Sequence, residues 1–115
     1  MVTQLDRIEG PIFDALGDPT RRAILDLLRE TPRAAGEIAS HFPISRPAIA
    51  KHVRVLKEAG LVRERAEGRH RIYELNAAPL AGVDRWLQPY RAFWVSRLIA
   101  IRELVEWKEN ENEGA

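Results

Sequence analysis

The sequence predicts a mainly α-helical fold carrying one small β-hairpin. Three observations lead there. Capped apolar runs at helical spacing fill most of the chain. The period of the pattern changes from 3.6 to 2 just after Gly60. With 115 residues, 45% apolar and 30% charged, the chain has the composition of an ordinary globular domain and the size of one unit, residues 1–115, not two.

The elements follow in order. After Pro11, the residues Ile12, Phe13 and Leu16 suggest a short amphipathic helix. A second helix is announced by Gly17-Asp18-Pro19-Thr20, with Asp18 as cap and Pro19 at the first helical position, where a missing N–H costs nothing. Ile24, Leu27 and Leu28 give it an apolar face, and Thr31-Pro32 stops it. A third short helix runs roughly from Ala35 to Phe42, with Ile38 and Phe42 turned inward. A tight turn, His41 to Ser45, leads to a fourth helix capped by Ser45, with Arg46 and Pro47 in its first turn and Gly60 just past its end. Ile49, Val53 and Leu56 form its buried stripe; Pro47, Ala50, Lys51, Arg54 and Glu58 fall on the opposite face.

Leu61–Arg65 and Arg71–Leu75 then read as two strands joined by the Gly-containing loop Ala66–His70. From about Ala77 the chain is helical again, with Pro89 expected to kink it or to separate two helices. Trp94, Leu98, Ile101 and Val105 make a two-heptad apolar seam. Residues 12–76 are thus expected to be one core, 77–108 a pair of C-terminal helices, and 109–115 a frayed acidic tail.

Composition excludes several function classes. There is no cysteine, hence no disulfide, no thiolate chemistry and no cysteine-containing metal site. No apolar run is long enough to span a membrane, and Met1–Asp6 lacks the pattern of a secretory signal, so a cytoplasmic location is expected. No Gly-rich phosphate loop and no nucleophile–base–orienter set is present; Ser40 lies beside His41, but adjacent helical residues point apart. No enzyme activity and no cofactor are expected.

The net charge of +1 conceals an asymmetry. Residues 46–71 carry 8 basic and 3 acidic side chains, whereas 1–45 and 72–115 each carry 5 basic and 7 acidic. A confined basic zone is the footprint of a polyanion-binding face; an Arg-rich solvated surface is the bland alternative. The zone coincides with the fourth helix and the hairpin, which together describe a helix-turn-helix followed by a wing (α-α-α-α-β-β-α). A helix fits the major groove, and its first residues reach base edges.

The segments Ala15–Leu25 (ALGDPTRRAIL) and Ser45–Val62, together with Glu67-Gly68-Arg69 and Tyr73-Glu74-Leu75, resemble the ArsR/SmtB-type winged helix-turn-helix repressors over residues of roughly 12 to 105. The resemblance implies a homodimeric transcription regulator that binds an inverted repeat in double-stranded DNA and usually represses. Its metal-sensing members use a Cys-x-Cys pair on the third helix, matched here by Ala34 and Gly36, or His and carboxylates on the last helix. The last helix has no histidine here, and Asp84, Glu103 and Glu106 alone make a poor site. The chain is therefore expected to be a non-metal member, similar to the autorepressor-like branch.

The candidate DNA contacts are Ser45, Arg46, Pro47, Ala48, Lys51, His52 and Arg54 from the fourth helix, and Arg69, His70 and Arg71 from the wing. Ser45 is first of all a cap. His52 falls toward the buried side of the wheel, favouring a packed or phosphate-facing ring over a base reader. Arg63 and Arg65 share a strand face, with Glu74 opposite as an ion-pair partner. The candidate dimer contacts are Ile12 and Phe13 of the first helix with Trp86, Tyr90, Phe93, Trp94, Leu98, Ile101 and Val105. Trp86, Tyr90, Phe93 and Trp94 could instead line a small-molecule pocket, so an effector stays open. The rival reading is a winged-helix protein-interaction module that uses this aromatic surface and does not need the basic zone.

Overall fold

The computed structural model describes the backbone of residues 4–113. Five helices and three strands follow one another: α1 (Gln4–Leu16), α2 (Pro19–Glu30), β1 (Arg33–Ala34), α3 (Ala35–Ser40), α4 (Arg46–Glu58), β2 (Val62–Glu67), β3 (His70–Leu75) and α5 (Leu80–Glu113). The strands form one antiparallel sheet in the order β1-β3-β2. Residues 1–83 and 84–115 form two compact units. Among the described residues no helix is long and apolar enough to cross a membrane.

Local chemistry places the helix ends. The Asp18 carboxylate accepts the Arg21 N–H at 3.0 Å, with Pro19 in the first turn of α2. Ser45 Oγ accepts the Ala48 N–H at 3.3 Å and caps α4. The chain leaves α4 through Gly60, whose φ of +81° lies in the left-handed region. The junction of α1 and α2 is held by two arginines that satisfy carbonyls at the end of α1. Arg21 donates from Nε to the Ala15 carbonyl at 2.7 Å and from Nη2 to the Asp14 carbonyl at 2.9 Å. Arg22 donates to the Leu16 carbonyl at 2.7 Å. A cation at a helix C-terminus also complements its dipole.

The core of the first unit gathers one face of each helix. Ile12 and Ala15 of α1, Ile24, Leu25 and Leu28 of α2, and Ile38 of α3 meet Ile49, Val53 and Leu56 of α4, with Leu61 and Val62 entering from the start of the wing. Fully burying one such aliphatic side chain stabilises by about 1.5–3 kcal/mol. The stripe Ile49, Val53, Leu56 is what fixes α4, and its polar residues consequently face away.

The structure departs from the sequence expectations in four places. The first helix begins at Gln4 and runs through Pro11. The proline loses one hydrogen bond and crowds the preceding turn, a cost set against burial of Ile12 and Ala15, which follow it. Strand β1 was not foreseen: Arg33 pairs with Tyr73 and Ala34 with Ile72, and two residues are too few to show a period. The wing is longer and its loop tighter than expected. Glu67 pairs with His70, leaving only Gly68 and Arg69 in the turn. Gly68 has φ +61°, and among the described residues no non-glycine residue has positive φ, the requirement of a type II′ hairpin. Finally, Pro89 neither ends nor divides the last helix, which is continuous from Leu80 to Glu113. One proline costs a single ladder bond there, and Leu87, Arg91 and Ala92 around it are good helix formers.

Leu56 is completely buried at the centre of the core. Leu56→Ala is expected to lower unfolding free energy by about 2–5 kcal/mol, measured by urea denaturation.

Candidate nucleic-acid interface

Helix α4 presents its cationic face as the wheel requires. Ser45, Arg46, Pro47, Lys51 and Arg54 are exposed, and Ala48 is half-buried. Among the described residues neither Arg46 nor Arg54 has a hydrogen-bond or ion-pair partner, so both guanidinium groups retain their full donor capacity. At the wing tip, Arg69 and His70 are exposed beside the Gly68 turn.

Two expected contacts have other engagements. His52 does not share the exposed face of Lys51 and Arg54. Its Nδ1 lies 3.4 Å from Arg21 Nη1 and 3.8 Å from the Asp18 carboxylate. The side chain therefore ties α4 to the start of α2, the packed role that its place on the wheel favoured. The backbone N–H of Arg21, foremost, and the nearby charge of His52 hold the Asp18 carboxyl below the usual carboxylate range. Arg71 is exposed but donates to Glu64 Oε1 at 2.8 Å.

Glu64 is a residue the sequence reading overlooked. Its carboxylate, 12% exposed, also takes a short hydrogen bond from Lys57 of α4 and one from the Tyr73 hydroxyl at 3.1 Å. It thus joins the recognition-type helix to both strands of the wing. The Lys57 hydrogen bond, then those of Arg71 and Tyr73, bring its pKa down from 4.5 to about 2. In return it raises the pKa of Arg71, while burial, followed by the bond to Glu64, raises that of Tyr73. A signal existed in the sequence: an acidic residue inside a basic zone, on the same strand face as Tyr73 across the hairpin. The cross-strand neighbour foreseen for Glu74 is in place, since Arg63 lies directly opposite it, but the wing's recorded charge pairs run through Glu64 and through Arg65 with Glu67 at 3.0 Å.

The expected dimer residues divide. Ile12 is 5% exposed and belongs to the core of its own unit, so it offers no surface to a partner; its neighbour Phe13 lies at the exposed margin. Within the second unit, Trp86, Tyr90, Phe93, Trp94, Leu98, Ile101 and Val105 are each about half exposed or more, with Leu98 at 64%. Val95, Ile99, Leu104 and Trp107 are also exposed and widen this surface beyond the expected seam. The rings of Trp86 and Tyr90 stand 5.0 Å apart, and the Arg97 guanidinium sits 4.8 Å from the Phe93 ring centroid.

Comparison with known proteins fits this geometry. Residues 16–65 match the family described as "Helix-turn-helix domain". The HTH-type transcriptional regulator Rv2034 of Mycobacterium tuberculosis is 40% identical over 94 residues, 82% of this chain and 85% of that protein. The transcriptional repressor SdpR of Bacillus subtilis is 42% identical over 76 residues, 66% of this chain and 84% of that protein. The crystal structure of an ArsR family transcriptional regulator, RHA00566, matches with a TM-score of 0.71 at 34% identity, covering 83% of this chain and 98% of that one. This chain belongs to the ArsR family of helix-turn-helix transcriptional regulators. A homodimeric winged helix-turn-helix DNA-binding domain, Mb0332 from Mycobacterium bovis, described as a possible ArsR-family transcriptional regulator, is also similar, with a TM-score of 0.62 at 25% identity over 79% of this chain and 84% of that one. The family is a regulatory and not an enzymatic class.

The residues here do not fit the metal site of the family's Cys-x-Cys members. Ala34 and Gly36 carry no donor atom, and a side chain built at Gly36 would meet the Arg46 guanidinium at 3.9 Å, a poor neighbour for a cation.

The sign of the pH effect at Glu64 follows from its depressed pKa. Its stabilisation is complete above about pH 4.5 and is lost as pH falls toward about 2. The stability gap between the native protein and Glu64→Gln should therefore shrink steadily across that interval. Denaturant titrations between pH 6 and pH 2 would show it; a gap independent of pH would contradict the role given to this carboxylate.

Proposed function

We propose that this protein is a sequence-specific DNA-binding repressor that works as a homodimer on an inverted-repeat operator. One observation carries the reading: a capped helix, buried along one face, displays Arg46, Lys51 and Arg54 outward beside an exposed basic hairpin. Arg46, near the helix start, is positioned for a guanine edge, to which a guanidinium can donate two parallel hydrogen bonds. Lys51 and Arg54 reach bases or phosphates. Ser45, Pro47 and Ala48 bring the first turn, with its free N–H groups, against the backbone. Arg69 and His70 of the wing take the adjacent phosphates or minor groove, and Arg71 joins them only to the extent that Glu64 releases it. His52 acts by positioning α4 and not by contacting DNA.

The homodimer is supported by the exposed apolar face of α5. The seven expected aromatic and aliphatic side chains from Trp86 to Val105 are more than a monomer ordinarily leaves to water. A two-fold axis would set two copies of α4 about 34 Å apart, one turn of duplex. The absence of donor atoms at residues 34 and 36 supports a non-metal member, and a regulator of this kind works in the cytoplasm.

Fluorescence anisotropy with duplex from upstream of the protein's own gene tests the DNA reading. Arg54→Ala should weaken operator binding by about 1–3 kcal/mol if it reads a base. Affinity should fall with salt at a log–log slope of about −0.9 per neutralised phosphate. Binding that ignores salt, or activity that survives joint neutralisation of Arg46, Lys51 and Arg54, would favour the protein-interaction reading instead. Leu98→Glu is expected to convert the dimer to monomer in sedimentation equilibrium while helical content is retained.

A further inference from the structure

The first unit contains a groove of about 390 Å³ between α3, α4 and the wing, within the size range of small-molecule sites. Its two sides differ in chemistry. Gly36 and Ala39 of α3 with Ile49, Ala50 and Val53 of α4 supply an apolar floor that carries no side-chain donor or acceptor. Arg46, Arg54, Lys57 and Arg71 line the rim, with Glu64 as the only carboxylate among them. Glu64 already accepts hydrogen bonds from Lys57, Arg71 and Tyr73. The four cations exceed the one carboxylate, and of them Arg46 and Arg54 have no partners among the described residues.

We propose that this groove is a ligand site for an amphipathic organic carboxylate, and that its occupant competes with DNA for Arg46 and Arg54. The competition rests on the reading of α4 as the DNA-contacting helix; the ligand site itself does not. Three features select the class of ligand. A guanidinium fork matches a carboxylate in a two-bond arrangement. The apolar floor contributes only if the ligand brings an apolar body, which inorganic phosphate and a DNA phosphodiester do not. The open side over Gly36, where an added Cβ would find no atom nearer than the Arg46 side chain at 3.9 Å, admits a flat ring. An aryl carboxylate satisfies all three. Bound there, it would occupy the same guanidinium groups that the duplex needs, so release from DNA would require no change of fold.

The test uses the full chain with benzoate and 2-naphthoate as probes, the corresponding neutral amides and inorganic phosphate as controls, all at matched ionic strength. Amide chemical-shift mapping is expected to move Gly36, Ala39 and Ala50 with the carboxylates. The neutral amides and phosphate should bind at least about tenfold more weakly. Gly36→Leu, which fills the floor from an exposed α3 position outside the DNA contacts, should abolish carboxylate binding. Its own operator affinity is measured alongside, because the added side chain adjoins Arg46, and displacement is read relative to that value. The Ala39→Met variant gives a second, independent filling of the floor. Anisotropy should show the carboxylates displacing operator DNA from the native protein but not from Gly36→Leu. Phosphate or the amides binding as well as the carboxylates, shifts confined to residues outside the groove, or undiminished binding in both filled variants would each overturn the ligand site. Carboxylate binding that maps to the groove without displacing bound DNA would overturn the competition alone. A native protein that takes the carboxylates but never binds duplex would overturn the repressor reading and leave the ligand site standing.

Discussion

Everything about the candidate interface depends on how α4 is held. Three aliphatic side chains, Ile49, Val53 and Leu56, must leave water together, and the only place that takes all three is the core formed by α1, α2 and α3. Once they are buried, the geometry of a helix leaves Arg46, Ala50 and Arg54 no choice but to face outward. The Ser45 cap at one end and the left-handed Gly60 at the other make α4 no longer than this stripe. The outward cationic face proposed to meet DNA is thus a by-product of apolar burial.

The second constraint is electrostatic. A surface carrying so many cations repels itself, and Glu64 relieves part of that repulsion where α4 meets the wing. The cost is that Lys57 and Arg71 are no longer unencumbered. The arrangement separates Lys57 and Arg71, fixed to one carboxylate, from cations of α4 such as Arg46 and Arg54 that have no partner among the described residues. The same logic appears at the other end of the helix layer. Asp18, Arg21 and His52 form a small polar cluster that binds α4 to the α1–α2 junction. The string Gly17-Asp18-Pro19-Thr20-Arg21-Arg22 therefore has a physical meaning beyond its place in a family pattern: one cap, one permitted proline, and two arginines that close the carbonyls of the preceding helix.

The second unit is governed by a different imbalance. Its helix is apolar around much more of its circumference than a solvent-facing helix tolerates, from Trp86 through Trp107. Charges are paired along the remainder, as in Arg102 with Glu106 at 3.1 Å and Asp84 with Arg91. That combination of an apolar band and paired polar edges is the pattern of a helix built to pack against another surface.

Taken alone, the sequence determined the helix starts at Asp18 and Ser45, the buried stripe of α4, the outward face with Arg46, Lys51 and Arg54, and the hairpin after Gly60. All of these are local consequences of caps, period and glycine chemistry, which operate over a few residues. Tertiary structure decided the rest. Strand β1 exists only because β3 offers it an edge. Pro11 stays inside a helix because the burial beside it outweighs one lost bond, and Ile12 is spent on the core because α2 and α4 close over it. Glu64 becomes the link between Lys57, Arg71 and Tyr73, and His52 turns to Arg21, because each depends on which groups fold back from distant parts of the chain. Spacing along a sequence carries no information about such meetings; only the packing that brings the elements together does.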